Sequence, residues 1–169
     1  MKTVRTLAKI LHYISKSLAF MYALVAFYSI LCLLTKWSLE KDGDFFTILF
    51  PFTKEAILIG EYNIAYILFD FLMIFMLYAI FFMLLSNVFN VFTKQKLFTT
   101  HAIGKLKWFY SSNLIVPSIA AVLAYAFGNF DIDAFLLVAL HFILGVFAYF
   151  FSEIFKQGVS LQKDQDLII

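Results

Sequence analysis

The chain has 169 residues and a formal net charge of +2; 63% of its residues are apolar, 14% are charged and 23 are Phe. A water-soluble domain is about 45–50% apolar and about 25% charged. With a mean hydropathy of +0.91, too few polar groups remain to cover a surface in water, which excludes an ordinary soluble domain and points to the bilayer.

Charges punctuate the rest. The N-terminal segment carries Lys2, Arg5, Lys9 and Lys16. His12 stands among these lysines, and His101 among later ones, where a solvated role is expected. Nineteen uncharged residues then separate Lys16 from Lys36. A helix needs about 20 apolar residues to cross about 30 Å of hydrocarbon, so residues 17–35 are predicted as the first span. Cys32, the one cysteine, cannot form an internal disulfide and is read as a small buried residue. "YSILC" mimics a lipoprotein cleavage box, but Ile30 and Leu31 are bulky where such a box has small residues. The run is also long for a signal-peptide core, and a retained span is expected.

An outer loop, 36–63, follows. It contains "DFFTILFPFTKEAILIGE". The apolar cluster from Phe45 to Phe52 suits a short strand or the headgroup zone, and a loop packed on the outer helix ends is expected. The second span is placed at 64–89, the third at 109–128 and the fourth at 134–152. Helices are required because lipid satisfies no free backbone groups, and the alternation of a membrane barrel is absent. The predicted fold is thus an all-α integral membrane protein, a bundle of four transmembrane helices in one domain. The loop 90–108, "FTKQKLFTTHAIGKLKWFY" from Phe92, has Thr99 or Thr100 to cap a helix. Ile103, Leu106 and Phe109/Tyr110 recur at helical spacing, which predicts a short amphipathic lead-in helix before span three.

Orientation follows from Lys and Arg. The N-terminal segment, the loop 90–108 and the tail 153–169 together carry ten basic residues, against Lys36, Lys41 and Lys54 on the other side. Both termini and the middle loop are therefore expected in the cytoplasm, with Trp37 and Trp108 at opposite interfaces.

Ionisable groups are expensive within lipid, at about 2.5–3.5 kcal/mol on insertion scales. Asp70 and His141 both fall inside predicted spans. Counted from the outer span ends, their depths differ by about 3 Å, so the two are expected to be able to meet. A plain structural hydrogen bond is the ordinary reading; a proton-coupled switch is the sharper one. His141, Gly145, Ala148 and Ser152 recur along one face of span four, and Ala120, Ala124 and Gly128 along span three. Small residues let helices approach closely, so both stripes are predicted as packing seams. Pro117 is expected to kink span three, with Ser112 or Asn113 near the freed carbonyls. Asn87 and Asn90 are read as end caps of span two. No HExxH, Cys/His metal spacing, phosphate-binding glycine loop or nucleophile elbow is present, so no enzyme, metal or cofactor is expected.

The tail reads "SEIFKQGVSLQKDQDLII". Gly158 is expected to end or bend the fourth helix, and acids with an apolar tip follow it. This stretch resembles the end of the bacterial four-span membrane proteins catalogued as domain of unknown function 2975, which close with E-[IV]-F-[KR]-x-G-x-x-[LI]-Q-x-[DE]-x-D-L-T-[IV]. Glu153, Phe155, Lys156, Gly158, Leu161, Gln162, Asp164, Asp166, Leu167 and Ile169 match, and Ile168 replaces the threonine. In the middle loop Phe98, Thr99, Leu106 and Lys107 fit the family pattern, while Leu97, His101 and Ala102 replace its Pro, Glu and Asn. The resemblance implies a non-enzymatic bacterial inner-membrane protein, in a family whose genes often lie beside a small helix-turn-helix regulator of the Cro/CI type.

The expected function is a membrane sensor or regulatory partner. Its cytosolic docking surface would combine Phe98, Thr99, Lys105 and Lys107 with Glu153, Lys156, Gly158, Gln162, Asp164 and Asp166, loop lysines pairing with tail acids. Expected partners are the lipid bilayer, a soluble regulator and a second copy of the chain; no direct nucleic-acid contact is expected. Two alternatives are a transporter or channel subunit using Asp70 and His141, and an immunity protein against a membrane-active peptide.

Overall fold

The computed structural model describes residues 2–127 and 132–166, apart from the side chains of Asp70, Phe127, Asp133, Ala134 and Asp166. Helix α1 spans Lys2–Thr35 and is followed by strands β1 (Leu39–Asp42), β2 (Phe45–Leu49) and β3 (Ala56–Glu61). A π-helical stretch, Tyr66–Leu72, runs directly into α2 (Met73–Phe92); α3 is Thr100–Phe127 and α4 is Ile132–Asp166. Among the described residues, four helices are long and apolar enough to cross a membrane. Their outward faces are greasy: Phe20, Phe27, Ile119, Val122, Phe142 and Phe147 are all more than half exposed. Such continuous apolar surface suits a lipid-facing wall and not a water-facing one.

The helices are longer than the charge-free runs. With 34 and 35 residues, α1 and α4 reach about 51 and 52 Å, some 20 Å more than the hydrocarbon needs. Lys2–Lys16 and Glu153–Asp166 therefore extend as ordered helix beyond the predicted spans. Gly158 does not end α4 as one expectation had it, because the helix passes through it to Asp166. One glycine costs a helix only about 1 kcal/mol, and the packing described below offsets it. The lead-in before span three is likewise not a separate element but the first turns of a continuous α3.

Helix α1 packs on α2, α3 on α4, and α2 on α3. The start of α1, the end of α4 and the loop between α2 and α3 thus gather at one end of the bundle, here the terminal end; the strands occupy the other, the sheet end. The α1 seam consists of small residues, with Ala8, Ser15, Ala19, Ala26, Ser29 and Cys32 buried along one face. Tyr22 stacks on Tyr78 and Phe82, at 5.4 and 5.6 Å between centroids.

His12 closes this seam and is not the solvated residue expected. Its Nδ1 lies 2.9 Å from the Ser86 carbonyl, which makes it the donor, and 2.8 Å from Ser86 Oγ. The Ser86 hydroxyl donates in turn to the His12 carbonyl at 3.2 Å. Replacing His12 by Leu removes the ring's bonds to Ser86 while the hydroxyl keeps the backbone carbonyl, at a cost of about 0.5–1.5 kcal/mol. A denaturant titration in micelles should show that loss, and the same change at exposed His101 should leave the midpoint unmoved.

The predicted outer loop is in part a three-stranded antiparallel meander, ordered β1-β2-β3. Gly43 supplies the positive φ (57°) that the tight β1–β2 turn requires. Strand β2 alternates: Phe46 and Ile48 are fully buried while Phe45 is exposed. Those two side chains join Cys32 and Phe71 in a core, supported by Tyr28, Leu58, Tyr66 and Phe75. The Tyr28 hydroxyl donates to the Leu49 carbonyl at 2.8 Å, tying the sheet to α1.

Candidate functional site

At the terminal end the loop and tail are joined by aromatic packing. Thr99 caps α3, its Oγ1 accepting the Ala102 N–H at 3.1 Å. This cap turns the chain so that Phe98 lies against α4. Phe98 meets Phe155 edge to face at 5.2 Å, and Phe92 meets Phe155 at 5.9 Å. Val88, Val91, Ala102, Leu106, Phe109, Ala148 and Phe155 form the buried core beneath. Gly158 sits one turn beyond Phe155 on α4. A Cβ added there would come within 2.5–2.9 Å of the Phe98 ring, so only glycine lets the ring come this close to the helix.

This arrangement reassigns several predicted docking residues. Phe98 and Gly158, both half-buried, pack against each other, and Thr99 is spent on a cap. Glu153 pairs with Lys156 within α4, not with a loop lysine. The side-chain contact raises the Lys156 ammonium above its usual range. Lys107 and Asp164 are exposed, and Lys105 and Gln162 are half-buried. Asp166 ends α4, but its side chain lies outside the described residues. Of the residues singled out in the sequence, Lys107 and Asp164 thus remain on the exposed surface, beside the aromatic packing.

A second polar cluster lies within the span region. Along α4 His141, Gly145, Ala148 and Ser152 are all buried, as are Ala120 and Ala124 on α3; Gly128 lies outside the described residues. A Cβ on Gly145 would meet the Leu114 side chain at 2.8 Å and the Tyr110 carbonyl at 3.3 Å, so this seam is the close crossing of α3 and α4. His141 Nδ1 donates to the Leu137 carbonyl at 2.9 Å. Its ring stands edge-on to Phe81 and Tyr78, at 5.2 and 6.3 Å.

His141 shares a narrow cleft with Tyr78, Ser112, Asn113 and Pro117. Pro117 lacks an N–H, which frees the Asn113 carbonyl four residues back. Asn113 is 3% exposed; its Nδ2 donates to the Phe109 carbonyl at 2.8 Å, and its Oδ1 has no partner among the described residues. The free volume, about 30 Å³, suits one or two water molecules. Asp70 falls in the π-helical stretch, and its side chain lies outside the described residues. The residues that meet the His141 ring, Tyr78 and Phe81, come eight and eleven positions later, about 12–16 Å along the helix. Similar depths counted from the span edges therefore do not translate into one shared level.

Comparison with protein-family models, with curated proteins and with solved structures gives no match.

Proposed function

We propose that this chain is a non-enzymatic, multi-pass protein of a bacterial inner membrane that relays a membrane-side event to a soluble partner. Both termini and the Lys94–Lys107 segment lie in the cytoplasm, as the lysine distribution favours. The observation that carries this reading is the Phe98–Phe155–Gly158 packing. It makes the middle loop and the protruding α4 helix one rigid piece, so a shift of α4 against α3 moves the whole cytosolic face. The resemblance of the tail to a family found beside helix-turn-helix regulators suggests such a regulator as the partner.

Truncation after Gly158 tests this. The shortened chain keeps the four spans and should insert normally, but it should no longer recover the soluble partner that the intact protein brings down from crosslinked membranes. Equal recovery by both would overturn the docking role.

Transport is the second reading, favoured by the cleft beside His141. Its polar lining, Tyr78, Ser112, Asn113 and His141, suits water molecules, so a proton is the cargo it suits. Proton flux in liposomes that disappears in His141→Phe would support it.

A further inference from the structure

We propose that a second cleft, between the end of α2 and the start of α3, binds a phosphate-bearing anion, which in the membrane is the headgroup of an acidic phospholipid. Lys94, Lys96, Lys105 and His101 line it together with the amides of Asn87 and Asn90. No carboxylate stands among its lining residues. Among the described residues the ion pair is Glu153–Lys156 on α4, so no described carboxylate neutralises the three lysines that share this cleft. Like charges brought together repel, and the repulsion is relieved when an anion enters between them. Lysine ammonium and amide N–H groups suit phosphate oxygens in particular, because each donates and none carries negative charge.

The surroundings agree with a headgroup. The lysines stand at the boundary of two membrane-length helices, where lipid phosphates lie. Trp108 is 69% exposed on the next turn of α3, and tryptophan favours that interfacial depth. Basic clefts between spans are known binding places for acidic headgroups. The first turn of α3 begins in the wall of the cleft and adds its partial positive charge. The inference needs only that this end lies at a membrane surface; it does not depend on the loop docking a soluble partner.

The test is native mass spectrometry of the full chain released from bilayers of phosphatidylcholine with or without phosphatidylglycerol. The wild type should retain phosphatidylglycerol selectively. The triple variant K94Q/K96Q/K105Q should retain it roughly tenfold less or worse. K2Q/K9Q/K107Q removes the same charge outside the cleft and should behave as wild type. Equal loss in both triples, or no lipid preference in the wild type, overturns the site. Competition with millimolar inorganic phosphate then identifies the source: displacement assigns the cleft to a soluble phosphate, and persistence assigns it to the lipid.

Discussion

Gly158→Leu should open the terminal end of the bundle. The added Cβ would fall 2.5 and 2.6 Å from Phe98 Cδ1 and Cγ. These atoms lie at the root of the ring, next to the backbone, so the side chain cannot flex away as the tip of a long one would. Either Phe98 leaves its place or α4 tilts off α3. Overpacking of this kind costs about 1–3 kcal/mol, and sometimes more. A loss of 1.4 kcal/mol raises the open population about tenfold, and cleavage of transiently opened chain follows that population. Trypsin should therefore cut after Lys94 and Lys96 roughly tenfold faster in the variant, with the four spans still inserted. Adding Phe98→Ala removes the colliding ring and should restore much of the protection. Unchanged cleavage in Gly158→Leu would mean that the ring and the glycine are not in contact.

Four membrane-length helices were legible because lipid penalises unpaired charge, and runs without Lys, Arg, Asp or Glu mark their extent, apart from Asp70 in the second. The same rule says nothing about where a helix stops. Lys2–Lys16 contains no glycine or proline, and Glu153–Asp166 has one glycine held in a packed contact, so both helices continue into the polar zone. The His141, Gly145, Ala148, Ser152 stripe was readable from spacing alone, because small residues on one helical face have few other uses in an apolar chain. The sheet left a signal that was outweighed. Asp42-Gly43 is a hairpin turn pair, and Phe46 and Ile48 alternate after it, but the run from Phe45 to Phe50 is apolar on both faces and masks the two-residue period. The contact of Phe98 with Gly158 spans 60 positions and was out of reach: both residues were singled out, yet as outward-facing ones. An exposed motif and an internal clasp look alike until the chain is folded. The polar site of Asn113 was only half legible. Pro117 predicts a freed carbonyl at that residue, but nothing in spacing says that His141 stands across the cleft from it.

Phe46→Ala should release the sheet from the helices, and the lone cysteine can report it. Phe46 is 0% exposed and meets Phe71 edge to face at 5.4 Å. Across from it on β3, a Cβ on Gly60 would touch its ring at 2.9 Å, so the ring fills the space between sheet and helices. Truncating a buried Phe costs about 3–5 kcal/mol. The sheet has 15 residues in its three strands and reaches the bundle chiefly through this core, so local opening is where the loss should appear. Cys32 is fully buried in the same cluster. A maleimide that labels native protein slowly should label the variant at least tenfold faster, while helical circular dichroism stays near wild type. A protected Cys32 would show that Tyr28 and Leu58 hold the sheet without Phe46. The same variant also tests the relay. If events at the sheet end reach the Phe98 clasp through α2, which packs against both, tryptic cleavage after Lys96 should rise together with Cys32 labelling. Labelling that rises alone would make the two ends independent, and a signal would then have to enter through the span region itself.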